Sequence, residues 1–243
     1  MKKEHGFTIL VIIVIWQFLS MTVNNDILIP FPIEVLKNFI DLFTKNVFYS
    51  SIIATIYRVL LGFLISFGIA LILAIIANRY KLFRNCFEPI QILAKSIPNI
   101  SYIIIVLVWL GSEKSVSVIC FLILFPIFYN NFLFAMDEEP QELKDVEKIY
   151  PESFLELTRV KTIPLLLPTI LSTSKMAFGL GFKVSVMAEI LGQVQVGIGR
   201  QLYIARQNLD TTNLFAWTIV IILLCFIIDW VFDQFINRKK HGG

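Results

Sequence analysis

Six apolar runs, at 7–23, 52–77, 89–110, 116–136, 163–191 and 214–236, alternate with shorter polar stretches. Runs of about 20 apolar residues predict helices that cross the hydrocarbon core of a bilayer. The first run is short. The fifth is long and carries Gly, Ser and Lys within it. Between the first two, the segment 24–50 opens on Ile29-Pro30-Phe31-Pro32 and continues as an amphipathic stretch. There Leu36, Phe39, Ile40 and Phe43 share one helical face, which predicts a helix lying along the outer membrane surface or over the bundle. The pattern divides the chain into a first span with this external segment (1–50), a core (51–236) and a basic tail (237–243). The fold class is an all-α integral membrane protein of about six transmembrane helices.

The polar stretch between the fourth and fifth spans breaks the pattern. Asp137 to Lys161 holds 12 charges in 25 residues, whereas connections between packed helices are usually short. Leu143, Val146, Ile149 and Tyr150 recur at helical spacing, so its first half predicts an amphipathic helix. Pro151 ends that helix, because the residue before a proline is pushed out of the α region. Ser153-Phe154-Leu155-Glu156 fits a capping box and predicts a second helix, running to Ile163-Pro164 at the membrane edge. A helix, a sharp turn and a second helix make a protruding surface that can enter a cleft of a soluble partner and transmit its motion.

Composition agrees with the pattern. The 243 residues are 57% hydrophobic and 16% charged, with mean hydropathy +0.77; soluble domains carry about a quarter charged residues. The Lys and Arg residues set the orientation. Twelve fall on the side that holds both termini and the charged stretch, five on the opposite side, and Arg58, Lys95, Lys175 and Lys183 within spans. This places both termini and the charged stretch in the cytoplasm. The net charge of +3 is scattered at membrane edges, so nothing points to nucleic acid. Cys86, Cys120 and Cys225 lie far apart and form no metal or disulfide pattern, and His5 and His241 are terminal. The chain has no phosphate-binding GxxxxGK[ST] loop. It is therefore not expected to be an enzyme; no catalytic residue, metal ligand or cofactor is assigned to it.

Several short motifs recur in an order that resembles the permease subunits of ABC importers, in particular the nitrate/sulfonate/taurine type. They are Ile29-Pro30-Phe31-Pro32, Tyr57-Arg58-Val59-Leu60-Leu61-Gly62-Phe63, Lys95-Ser96-Ile97-Pro98, Trp109-Leu110-Gly111, Phe125-Pro126-Ile127, Pro164-Leu165-Leu166-Leu167-Pro168, Gly179-Leu180-Gly181, Ala188-Glu189-Ile190-Leu191-Gly192 and Gly197-Ile198-Gly199. The charged stretch resembles that family's EAA loop, with Pro164 fixing the register. Asp145-Val146-Glu147 then falls at the Glu-Ala-Ala positions, Pro151 at the Gly, and Lys161-Thr162-Ile163-Pro164 at Ile-x-Leu-Pro. Asp for Glu, Glu for the second Ala, Pro for Gly and Lys for Ile are departures. The resemblance implies a type I importer permease fold in a bacterial inner membrane. It implies cytoplasmic ABC ATPase subunits that bind ATP and Mg, an external substrate-binding protein and a second permease copy. It also assigns ATPase coupling to Asp145, Val146, Glu147, Ile149, Tyr150, Pro151 and Pro164.

Ionisable groups inside spans face a bundle interior or a cavity by default. Arg58 and Lys95 sit near span ends, where snorkelling accounts for them, and Glu189 is read as a structural partner of a buried base. Lys183 departs from the related permeases, which carry an apolar residue there. With Lys175, Ser185 and Glu189 it forms a candidate translocation pathway for a small polar or anionic solute; equally, it pairs with Glu189, Asp229 or Asp233. A stand-alone secondary transporter is the alternative, but it predicts paired broken helices in two repeated halves, which the sequence does not display. The solute is left open among nitrate, sulfonates, bicarbonate and thiamine-pyrimidine or flavin-like precursors.

Overall fold

The computed structural model describes residues 3–140 and 154–241, and among these every regular element is helical. In chain order they are α1 (Lys3–Val23), α2 (Pro32–Leu42), α3 (Asn46–Arg79), α4 (Lys81–Ser96), α5 (Asn99–Asp137), α6 (Phe154–Leu157), a π-helical turn (Thr158–Thr162), α7 (Ile163–Gly192), α8 (Ile198–Gln207) and α9 (Thr211–His241).

The expected third span, 89–110, is not one helix. Ile97 is extended (ψ 124°) and Pro98 follows it, so α4 stops at Ser96 and α5 restarts at Asn99. The expected gap between the third and fourth spans is instead a fold within α5. Gly111 takes φ 72° and ψ 177°, a conformation an L side chain resists. There the chain turns back on itself. Ser115 Oγ donates to the Val106 carbonyl at 3.0 Å, although nine residues of straight helix span about 13 Å. Further down, Gln91 meets Asn130, and Arg84 pairs with Asp137. So α4 and the 99–110 limb together run antiparallel to the 112–137 limb. Among the described residues, length and composition alone mark five helices able to cross a membrane, and the path of those residues makes six passes.

The passes share one depth frame. The 34 residues of α3 measure about 51 Å, more than the ~30 Å hydrocarbon core. Counting about 20 residues back from Arg79 puts the opposite edge, the outer one in the orientation the Lys and Arg residues predict, near Arg58, and the same count from Asp137 reaches Ser117. Gly62 and Gly181 both abut Cys120, where a Cβ would come within 2.7 Å and 3.1 Å of its side chain. That fixes α3, α5 and α7 side by side. Below this level Phe63, Phe67, Phe128, Phe132 and Phe178 interlock, with centroids 5.2–5.6 Å apart in most pairs.

The amphipathic helix predicted after the first span is present as α2, but its buried face differs. Val35 and Leu42 are buried and Phe39 packs on the core, whereas Leu36, Ile40 and Phe43 stay exposed. The reason is that α2 lies against α9 and presents the neighbouring i, i+4, i+7 stripe. Its entry is tied to α1, where Trp16 Nε1 donates to the Pro30 carbonyl at 3.1 Å and Ser20 Oγ to the Ile29 carbonyl.

Candidate functional site

Arg58 and Glu189 meet at the outer edge of the bundle. Glu189, on the last turns of α7, has no exposed surface. Its carboxylate accepts from Arg58 Nη1 at 2.7 Å, Thr55 Oγ1 at 2.9 Å and the Gly199 amide at 2.9 Å. Thr55 Oγ1 in turn accepts the Ile198 amide at 2.9 Å. The acid thus sits at the N-terminus of α8, where unpaired amides and the helix dipole favour an anion. Close approach requires glycine here, because a Cβ on Gly199 would lie 2.4 Å from Glu189 Cβ. Arg58 Nη1 also donates to the Val196 carbonyl at 2.7 Å, and Nη2 pairs with Glu113. Glu113 then accepts the Gln195 amide at 2.7 Å. The cluster ties α3, the turn of α5 and the α7–α8 connection together. Arg58, which snorkelling had explained, is instead fixed between two carboxylates. Thr55 and Glu113 were not singled out from the sequence. A threonine in an apolar helix carries no signal, and Glu113 sat in an expected loop.

The four residues expected to share a pathway occupy separate places. Glu189 is locked in the outer cluster. Ser185 is fully buried beside Cys120. Lys175 Nζ pairs with Asp233 on α9 at 2.6 Å. Lys183 lies exposed on α7, on the helical stripe of Met176 and Met187.

A cavity of about 420 Å³ opens on that stripe, nearer the inner side. Its walls include Lys95 and Asn99 beside the Pro98 break, Asn130 and Asn131 on the second limb of α5, and Met176 and Leu180 on α7. None of its lining residues is acidic. Asn131 Nδ2 donates to the Ile127 carbonyl at 2.8 Å and Asn130 Nδ2 to the Pro126 carbonyl, leaving their amide oxygens available. Proline at 98 is what separates Lys95 from the rest of its pass and turns it towards this space.

Of the coupling positions, Asp145, Val146, Glu147, Ile149, Tyr150 and Pro151 lie outside the described residues. Pro164 is described and stands in the first turn of α7. Having no N–H, it leaves the carbonyl four residues earlier without a helical donor. The chain widens there to a π turn, in which the Ile163 amide bonds the Thr158 carbonyl. α6 spans Phe154–Leu157, and the predicted capping Ser153 lies outside the described residues. The two ends of the charged stretch are held together, since Lys161 pairs with Glu139. Arg84 clamps Asp137 with two bonds of 2.7 Å and 2.8 Å.

This architecture resembles that of an inward-facing MetNI methionine ABC transporter structure, with TM-score 0.64 and 17% identity over 78% of this chain and 93% of that chain. At that identity the likeness concerns the fold. In sequence, the chain is 26% identical over 233 residues to the putative aliphatic sulfonates transport permease protein SsuC of Bacillus subtilis (strain 168), covering 94% of this chain and 83% of that protein. It is 24% identical over 239 residues to the nitrate import permease protein NrtB of Synechocystis sp. (strain ATCC 27184 / PCC 6803 / Kazusa), covering 94% and 84%. The family model described as "Binding-protein-dependent transport system inner membrane component" matches residues 65–241. Six passes, the ordered glycine and proline motifs and that match lead to one conclusion: the chain belongs to this family, as a membrane-embedded permease subunit of an ABC importer whose ATP hydrolysis resides in a separate chain.

Proposed function

We propose that the chain pairs with a second, identical permease and conducts a small anionic solute past Lys95. The observation that carries this reading is the cavity at the Pro98 break. It has one lysine, three asparagines, an apolar floor and no carboxylate. An uncompensated ammonium in a low-dielectric cleft attracts an anion and repels a cation. Relatives named for aliphatic sulfonates, nitrate and taurine support an oxyanion or sulfonate as cargo. Lys183, exposed on α7 along the stripe of Met176, stands nearer the outer side and adds a second base to that face. Both termini and the charged stretch lie in the cytoplasm in this reading, where Asp145, Val146, Glu147, Ile149, Tyr150 and Pro151 dock the ATPase and Pro164 sets the hinge at the membrane.

The test is Lys95→Met in the importer reconstituted with its ATPase and binding protein. Solute uptake should fall about tenfold, equivalent to roughly 1.4 kcal/mol, with assembly and basal ATP hydrolysis preserved. Unchanged uptake would remove Lys95 from the pathway. A cationic solute held by the cognate binding protein would overturn the anionic assignment.

A further inference from the structure

A slot of about 480 Å³ lies between α3 and the second limb of α5. Leu61 and Ile65 on its α3 wall are exposed, so it opens on the side of the bundle. Its mouth is polar, with Arg58, Glu113 and Lys114, and its floor is apolar, with Leu61, Ile65, Val118 and Phe121. Ser117 Oγ donates to the Arg58 carbonyl at 3.1 Å, which sets the two walls at one level. From Arg58 to Ile65 on one wall, and from Lys114 to Phe121 on the other, the helices descend about 10 Å.

The mouth stands where α3 reaches the edge of the hydrocarbon core. Tyr57 lines it and is 65% exposed, and tyrosine gathers at the level of the lipid headgroups. The slot therefore starts among headgroups and runs down among acyl chains. The charges at its mouth are not equivalent. Arg58 is held by Glu113 and Glu189. Glu113 has Arg58 and the Gln195 amide. Lys114 is exposed and, among the described residues, closes no ion pair. The charge left without a partner there is a cation.

We propose that this slot holds an anionic phospholipid, with its phosphate on Lys114 and an acyl chain against Leu61, Ile65, Val118 and Phe121. The order of polarity selects this ligand. A phospholipid carries its charge and its apolar chain in the same sequence, and at the same depth, as the slot does. A free anion would use the mouth and leave the floor without a role, and an uncharged lipid would leave Lys114 without one. Basic side chains at a membrane surface attract acidic headgroups, which supplies headgroup selection. The position also gives the lipid a consequence. Arg58 and Glu113 tie the turn of α5 to the α7–α8 connection, and a seated lipid shields that tie from water and strengthens it. The slot shares no lining residue with the Lys95 cavity, so the inference is independent of the proposed solute.

The experiment uses the full importer, stripped of lipid in detergent. Its melting temperature is followed as phosphatidylglycerol, phosphatidylcholine or inorganic phosphate is added. Phosphatidylglycerol should raise it, and the other two should not. The phosphatidylglycerol concentration that gives half the rise should increase about fivefold in Lys114→Met and further in Lys114→Glu, while Lys114→Arg keeps it. Leu61→Trp fills the floor without altering charge and should weaken the response as well. If Lys114→Glu inserts poorly, the Met and Trp variants carry the test. An unchanged response in Lys114→Met and Leu61→Trp would overturn the proposal. So would an equal rise with phosphatidylcholine, which marks an apolar groove without headgroup selection, or with phosphate, which marks a free-anion site. Reduced recovery of permease pairs in Lys114→Met, with its lipid response intact, would assign the face to another copy of the chain and overturn it too.

Discussion

Arg58 binds two carboxylates of opposite character, one fully buried and one half-exposed. The Glu189 carboxylate has three donors besides its own helix, so removing either partner strands a charge. Removing one member of a buried ion pair typically costs about 3–5 kcal/mol, whereas replacing both with apolar groups costs far less. Glu189→Met should therefore lower the thermal stability of the detergent-extracted complex sharply, and the double substitution R58M/E189M should regain much of it. Equal loss in the single and double variants would show that the cluster acts through the Thr55 and α8 bonds rather than through charge. Both ionic residues were visible in the sequence as charges in apolar runs. Their mutual contact was not, because 131 residues separate them and sequence spacing says nothing about which helices become neighbours.

At the scale of the element, two residues redraw the third and fourth passes. Pro98 breaks the rising pass and Gly111 reverses it, and neither changes the apolar count that predicts a span. Periodicity therefore located the passes to within several residues but could not place the break. The charged stretch behaves differently. Helix is present from Phe154 onward, as the second helix of that stretch predicts, while the capping Ser153 lies outside the described residues. Its docking role is a prediction about residues 141–153. Asp145→Lys reverses charge on the proposed docking helix and should weaken ATPase association. Deletion of Val146–Tyr150 should abolish transport-coupled ATP hydrolysis while membrane insertion stays normal. Coupled hydrolysis that persists in the deletion would refute the docking role.

For the molecule as a whole, orientation follows from charge asymmetry rather than from packing. A single cysteine at Glu138, beside the charged stretch, should react with a membrane-impermeant maleimide in inside-out vesicles and resist it in intact cells. The opposite pattern would invert the topology and place the coupling segment outside. The depth frame makes a consistent whole of the separate sites. In the predicted orientation the ion cluster stands at the outer edge, the Lys175–Asp233 pair within the core, the cavity towards the inner side, and the clamps Arg84–Asp137 and Lys161–Glu139 at the inner ends.

The sequence alone determined the membrane class, the number of passes and the position of the charged stretch, and its Lys and Arg distribution supplies the orientation predicted above. Each of these depends on transfer of local segments between water and hydrocarbon, or on charges next to a span, and such quantities are sums over neighbouring residues. It also marked Arg58, Lys95, Lys175, Lys183 and Glu189 as unusual, because a charge in an apolar run is a local anomaly. Only the tertiary structure decided their partners. Glu189 went to Arg58 because α8 starts against α7 at Gly199, and Lys175 went to Asp233 because α7 and α9 pack antiparallel. Lys95 was left facing an open cavity because Pro98 turns its pass. Those outcomes depend on which helix faces meet, and that is settled by packing between residues far apart in the chain.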